Sequence, residues 1–251
     1  MCTVGYVSDL SILFKNRDKN VVTEEEIVQE NGFVAVRTKG ANYYSLGVNV
    51  HGFAFVSTAI NTPKWTGLAA VGNRAGAAQQ YAIENDGLLS PTKLISQYLA
   101  ELKSAREAVD FLLASDLNFM GYNLVAIDRS EAYRIECYRD KRNAYKLPER
   151  AIVTNHFKHI QHGPKKFKDY PSSFKREIES KRRIDVSENT DDLWALMKFT
   201  NFDDQDQSIW RVGENFWTVS STILNVEECS LILSTTPTID GMSLTAVVAV
   251  Q

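Results

Sequence analysis

The sequence predicts an α+β fold of two packed, mainly antiparallel sheets with helices outside them. Three observations carry this. Strand-like runs come in blocks, hairpin-like connections join them, and the helices also arrive in blocks instead of alternating with strands. The strands are too many for one comfortable sheet, so two are expected.

The first block is β-rich. Residues 3–8 and 11–14 read as a hairpin around Asp9. Runs 32–38, 43–49 and 54–59, rich in Val, Tyr and Phe, read as further strands. Asn49-Val50-His51-Gly52 has the composition of a turn. Helices follow: an Ala-rich one over 67–84, and one from Ser90-Pro91 to about Lys103 with Leu94, Ile95, Tyr98, Leu99 and Leu102 at helical spacing. Ser104-Ala105-Arg106-Glu107 is a capping box for the next. Strands resume at 123–128 and 132–138, joined by Arg129-Ser130-Glu131, then at 144–147 and 151–154. Helices over 172–181 and 191–199 precede closing strands at 216–224, 230–234 and 243–250.

The 251 residues, 44% hydrophobic and 24% charged, suit an ordinary globular chain able to bury a sizeable core. Pro and Gly do not cluster into a linker, so residues 1–251 are expected to form a single domain. The net charge of −3 gives no pull toward nucleic acid or an anionic membrane. Basic clusters at Lys165, Lys166, Lys168 and at Lys181, Arg182, Arg183 read as solvated helix faces. No apolar run approaches the ~18–20 residues of a membrane span, and the start lacks a basic-then-apolar leader, so a cytoplasmic location is expected. Oligomeric state is not legible, and a homo-oligomer stays open.

The three cysteines, Cys2, Cys137 and Cys229, are odd in number and widely spaced, which implies no disulfide framework. His156, His159 and His162 recur every third residue, but no Cys pair or acidic cluster completes a metal site. No metal and no cofactor is expected.

Cys2 is the residue with the most chemistry. Removal of Met1, expected before so small a residue, would leave one residue with both a thiol and a free α-amine. Their reference pKa values, ~8.5 and ~7.7–8.0, lie near working pH. An amine beside a nucleophile can serve as its general base without a histidine. The bland alternative is a small residue at the start of a strand. Asn16-Arg17-Asp18 ends the strand expected to pair with that of Cys2: Arg17 could stabilise a thiolate and Asp18 could bind the amine, or the three could simply form a turn. Asn61, just past a strand, could donate to an oxyanion or begin a turn before Pro63. Asn155 ends another strand and could be a second donor or a polar strand end. Arg176, in a helix start, could face inward as a cation or lie on the surface.

This set, in this order, resembles the choloylglycine hydrolase and acyl-CoA:isopenicillin N acyltransferase-like group of N-terminal nucleophile hydrolases. Met1-Cys2-Thr3 is similar to the processed start of that family, and Asn16-Arg17-Asp18 to its Arg/Asp segment. Asn61 and Asn155 fall where its two active-site asparagines should be. Thr154-Asn155-His156-Phe157 and Ser172–Arg176 resemble its Thr-Asn-His-Phe and Ser-Ser-x-x-Arg stretches, and 218–223 with 231–237 its closing strands. The resemblance spans nearly the whole chain and implies a four-layer α-β-β-α sandwich. It implies an amidase or acylase that cleaves a small-molecule C–N amide through a Cys2 acyl-enzyme. Catalytic residues would be Cys2, Arg17, Asp18, Asn61, Asn155 and Arg176. In one respect the chain departs: bile acid hydrolases place the Arg three residues before the Asp, whereas Arg17 and Asp18 are adjacent. The chain is also short for that branch, so a bile salt substrate is not implied. An acyltransferase passing the acyl group to an amine or thiol, and a non-catalytic scaffold binding acyl compounds, are the two alternatives.

Overall fold

The computed structural model describes residues 2–21, 23–163, 166–212, 216–235 and 244–250. With strands and helices numbered in chain order, one sheet is built from β1 (Cys2–Val7), β2 (Ile12–Lys19), β10 (Arg150–Val153), β11 (Trp217–Asn225), β12 (Ser230–Ser234) and β13 (Leu244–Ala249). Their spatial order is β10-β1-β2-β11-β12-β13. The other is an antiparallel meander of β3 (Glu25–Glu30), β4 (Phe33–Thr38), β5 (Leu46–Asn49), β6 (Ala54–Ala59), β7 (Phe119–Ile127), β8 (Ala132–Arg139) and β9 (Lys141–Lys146), neighbours in space as in sequence. Helices are α1 (Pro63–Ala70), α2 (Arg74–Glu84), α3 (Pro91–Gln97), α4 (Ala105–Ala114), α5 (Pro171–Ile184) and α6 (Thr190–Met197).

Strand alternation sorts the apolar side chains into layers. Val4, Tyr6 and Leu13 of the first sheet meet Val34, Val36, Val48, Val56 and Val125 of the second in the core between them. On the far side of the second sheet, Phe55, Leu124 and Ile135 pack with Ile95, Ala108 and Leu112 of α3 and α4. On the far side of the first, Val7, Ile12, Phe14 and Ile223 pack with Ile184, Leu193 and Met197 of α5 and α6. The result is the expected α-β-β-α layering. Gly5 faces Phe14 across the β1–β2 pair, and a Cβ there would stand 2.0 Å from the Phe14 ring, so only glycine fits. No helix among the described residues is long and apolar enough to cross a membrane.

The strand expected to end at Phe14 runs on to Lys19 as β2, so Asn16, Arg17 and Asp18 lie within the ladder and not in a turn; three further elements are broken, shortened or unforeseen. The helix expected over 67–84 is two, α1 and α2, broken where Gly72 takes φ +73° and Asn73 caps α2 through Gly76 N. Composition favours helix throughout that stretch, but the left-handed turn at Gly72 ends one helix and re-aims the next. The helix from Pro91 ends at Gln97, short of Lys103. Strand β3 was not expected, because Glu25, Glu26 and Glu30 break the alternation; it is a half-exposed edge strand paired only with β4. Ser243, in the expected last strand, and Pro237 lie outside the described residues.

Candidate active site

Cys2 opens β1, in register with Arg17 of β2. On its other side β10 pairs with β1 only as far as Val4 and Val153, and beyond Val153 the chain leaves the ladder. The Cys2 nitrogen therefore meets a side chain instead of a strand: it donates to Asn155 Oδ1 at 2.9 Å. That nitrogen is a peptide N–H while Met1 is attached and becomes the α-amine once Met1 is removed; Met1 itself lies outside the described residues.

Asn155 Oδ1 also accepts from Arg176 Nη2 at 3.0 Å, and its Nδ2 donates to Ala59 O at 2.8 Å. Asn155 was open as an oxyanion donor or a polar strand end; its Nδ2 is taken by Ala59 O and its Oδ1 faces the Cys2 nitrogen. Arg176 is fully buried. Its Nη1 donates to Cys2 O at 2.9 Å and to Thr3 Oγ1 at 2.8 Å, and it lies 3.7 Å from Asp18 Oδ2. Pro171 starts α5, and Ser172, Ser173, Arg176, Glu177, Ser180 and Ile184 follow at the i, i+3, i+4 spacing of one buried face. That face puts Arg176 inward, not on the surface. Asp18 is buried, with Thr218 Oγ1 donating to its Oδ1 at 2.8 Å. Burial pushes the Asp18 carboxyl up, and the Arg176 and Arg211 cations pull against that.

The other members of the expected set are placed differently. Asn16 is structural: its Nδ2 ties β2 to Met197 O at 2.7 Å and Ile209 O at 2.9 Å. Arg17 faces the cavity but is ion-paired with the buried Glu25. Asn61 also lines the cavity, and its side chain makes no hydrogen bond among the described residues. Sequence reasoning passed over Lys15. It lies three residues before Asp18, the spacing at which the resembled family carries its Arg, so the signal was present. Lys15 lines the same cavity as Cys2, is 3% exposed, and donates to Ser45 O at 3.3 Å. Burial lowers it to about 8, and negative charge at Cys2 would act in the opposite direction.

These residues border a cavity of about 460 Å³, within the range of small-molecule sites. Cys2 and the end of β2 form one wall, and Ser57, Ala59 and Asn61 at the end of β6 another. Trp65 of α1, with Arg74, Ala78 and Tyr81 of α2, close over it. Cys137, by contrast, is fully buried in the outer core and pushed up to about 12 by burial, which leaves it an inert thiol.

Behind the site sits a buried clamp. Glu177 Oε2 is 2.9 Å from His156 Nε2, His156 Nδ1 is 3.0 Å from Ser173 Oγ, and Ser173 Oγ accepts from Asn155 N at 2.9 Å. Ser173 is fully buried, so this Ser-His-Glu array cannot meet substrate; it locks α5 against the segment that carries Asn155. His159 instead packs edge-on to Tyr145 and His162 stacks on Tyr138, so the three histidines do not converge. Burial opposes ionisation of Glu177, but hydrogen bonds from His156 and Lys181 outweigh it and bring the carboxyl from 4.5 down to about 2. A depressed acid stabilises the fold above its unfolded pKa and loses that contribution as pH falls toward its folded one. Glu177→Gln is therefore expected to cost roughly 2–3 kcal/mol at pH 7 and little near pH 2. Urea unfolding at both pH values checks this; an equal loss at both would refute it.

This layering is that of the N-terminal nucleophile hydrolase fold; Cys2 stands at the head of β1, with its backbone nitrogen in a buried polar network. Solved structures share the fold across most of the chain. Penicillin V acylase from Agrobacterium tumefaciens superposes with a TM-score of 0.55 at 13% identity, over 95% of this chain and 84% of that one. The N-acylethanolamine-hydrolyzing acid amidase (NAAA) ortholog of Caenorhabditis elegans gives 0.57 at 11%, over 90% and 93%. The C2A mutant of conjugated bile acid hydrolase from Clostridium perfringens gives 0.57 at 12%, over 99% and 92%. No family model and no curated protein matches the sequence. At these identities the likeness concerns the fold, and the chemistry has to be argued from the residues.

Proposed function

We propose that this chain is an amidase or acylase that cleaves a small-molecule C–N amide, with Cys2 as the N-terminal nucleophile. One observation carries the reading: the buried polar network grips the backbone of Cys2 at both ends. Asn155 takes its nitrogen and Arg176 its carbonyl, while Cys2 itself borders the cavity. Any buried backbone group needs a partner where the ladder ends; here the partners belong to one Asn155–Arg176–Asp18 array, which would hold an α-amine in the same place. The names of the fold neighbours, an acylase, an amidase and a hydrolase of conjugated bile acids, point the same way.

In this mechanism the Cys2 amine takes the thiol proton and the thiolate attacks the amide carbonyl. Asn61 donates to the resulting oxyanion. The ammonium then protonates the leaving nitrogen, the C–N bond breaks, and a thioester on Cys2 remains. Water adds to the thioester as the amine accepts its proton, which releases the acid and restores Cys2. Asn155 and Asp18 orient the amine, and Lys15 offsets the thiolate charge.

Intact-mass measurement should find the purified protein one Met lighter, and an amide panel should give a substrate adduct confined to Cys2. Full activity in a homogeneous sample that keeps Met1 would sink the mechanism. Asn61→Ala should lower kcat by roughly 10²–10³, as loss of one oxyanion donor does, with Tm nearly unchanged because its side chain makes no hydrogen bond among the described residues. A normal kcat would remove Asn61 from the site.

A further inference from the structure

On the inner face of the second sheet the apolar layer stops at one level. Ala54 and Val56 of β6 give way to Thr58, Ile127 and Val125 of β7 to Asn123, and Ala132 of β8 to Arg134 and Glu136. Thr58 pairs in register with Asn123, and Asn123 with Glu136. All four polar residues are buried, and none of them lines the cavity. Arg134 and Glu136 form an ion pair at 3.2 Å with both side chains out of water.

What these residues hold is the segment that leaves the ladder after Val153. Thr154 O accepts from Thr58 Oγ1 at 2.8 Å and from Asn123 Nδ2 at 3.0 Å. His156 O accepts from Asn123 Nδ2 at 3.1 Å and from Arg134 Nη2. Arg134 Nη2 also donates to Asn123 Oδ1 at 3.1 Å. Glu136 accepts from three consecutive backbone N–H groups, Lys158 at 2.6 Å and His159 and Ile160 at 2.9 Å. Asn155 therefore sits between two carbonyls gripped from the second sheet. A buried ion pair is a poor device for stability alone, since apolar residues of the same volume often do as well. What it supplies is direction: a planar fork and a two-oxygen acceptor fix the path of a backbone that has no ladder.

We propose that Arg134 and Glu136 are positioning residues: they hold the segment of Asn155 so that its Oδ1 meets the Cys2 nitrogen. The second sheet thereby governs a reaction whose nucleophile stands in the first. The Ser173–His156–Glu177 clamp reaches the same segment from α5, through Asn155 N. That the positioned group serves an amine rests on the reading of Cys2 above; the grip on the segment rests on the hydrogen bonds alone.

The test needs no amide. Alkylation of Cys2 by iodoacetamide, followed by mass from about pH 6 to 10 on protein lacking Met1, titrates the thiol and its amine together. Asn155→Ala should move the midpoint. Arg134→Lys keeps the charge beside Glu136 but loses the fork that reaches His156 O and Asn123 Oδ1, so it should move the midpoint in the same direction. Glu136→Gln should do the same. Added to Asn155→Ala, neither change should shift it further, because all act through one residue. On any amide that is turned over, both should lower kcat roughly ten- to a hundredfold, with KM within about threefold. Asn49→Ala serves as the control. It removes a buried anchor on Leu99 O and Leu102 O, so it should lower Tm and leave the midpoint alone. A folded Arg134→Lys or Asn155→Ala protein with the parent's midpoint overturns the proposal. So does a shift that adds in full to that of Asn155→Ala, or an equal shift in Asn49→Ala. If Glu136→Gln does not fold, Arg134→Lys decides alone. Protein that always keeps Met1 overturns this proposal and the amidase reading together. Shifted midpoints without turnover of any amide would retain the grip on Asn155 and count against the amidase reading, whereas turnover with unmoved midpoints would do the reverse.

Discussion

Cys2→Ala is expected to abolish turnover, lowering kcat by at least about 10⁴-fold, because removing a nucleophile disables the whole catalytic unit. The fold should survive. Cys2 is a small side chain at a strand end, and its backbone contacts to Asn155 and Arg176 do not involve the sulfur. Stability should change by less than about 1 kcal/mol. Single-turnover mass spectrometry should show the acyl group on the N-terminal peptide of the unmodified protein and none on the variant. Limited iodoacetamide should inactivate in step with alkylation of Cys2, while Cys137, fully buried, stays unlabelled until the protein unfolds. A Cys2→Ala protein with normal turnover would transfer the chemistry elsewhere and end the nucleophile reading.

Arg176→Met should have the largest effect on the fold and should also stop catalysis. The guanidinium is fully buried and serves Cys2 O, Thr3 Oγ1, Asn155 Oδ1 and the Asp18 carboxylate at once. Removing one partner of a buried charged network strands the others, at about 3–5 kcal/mol. For a chain of this size that corresponds to a fall in Tm of roughly 6–20 °C. Arg176→Met combined with Asp18→Asn should recover part of the lost stability, since the stranded carboxylate is gone, but not activity. Thermal unfolding beside turnover assays checks both. A single variant as stable as the parent would show that Arg176 is not the keystone its contacts describe.

The expectations for Asn155 and Arg17 show how far linear reasoning reaches. Both were legible as polar residues at strand ends, and the strand ends were legible from the apolar runs before them. What each side chain touches was not. Asn155 is bound to Cys2, Arg176 and Ala59, three partners distant in sequence. Arg17 is drawn to Glu25, which lies in a strand whose acidic sequence hid it. Lys15 was overlooked because it opens the polar run Lys15-Asn16-Arg17-Asp18, in which the adjacent Arg17 and Asp18 match the family's residue types and Lys15 does not. Its burial follows from the second sheet lying across β2 and presenting Ser45 O to its ammonium.

The sequence by itself determined the class of the fold, since block order and hairpin spacing need only local propensity and strand alternation. It also put on offer the chemistry proposed for Cys2, because a thiol and, once Met1 is removed, an α-amine would belong to one residue. The tertiary structure alone decided which groups surround that residue. Asn155 and Arg176 reach Cys2 across 153 and 174 residues of chain. Such contacts arise only when β10 stops short beside β1 and the buried face of α5 docks on the same sheet. They depend on the packing of two layers against each other, and no local pattern along the chain encodes that distance.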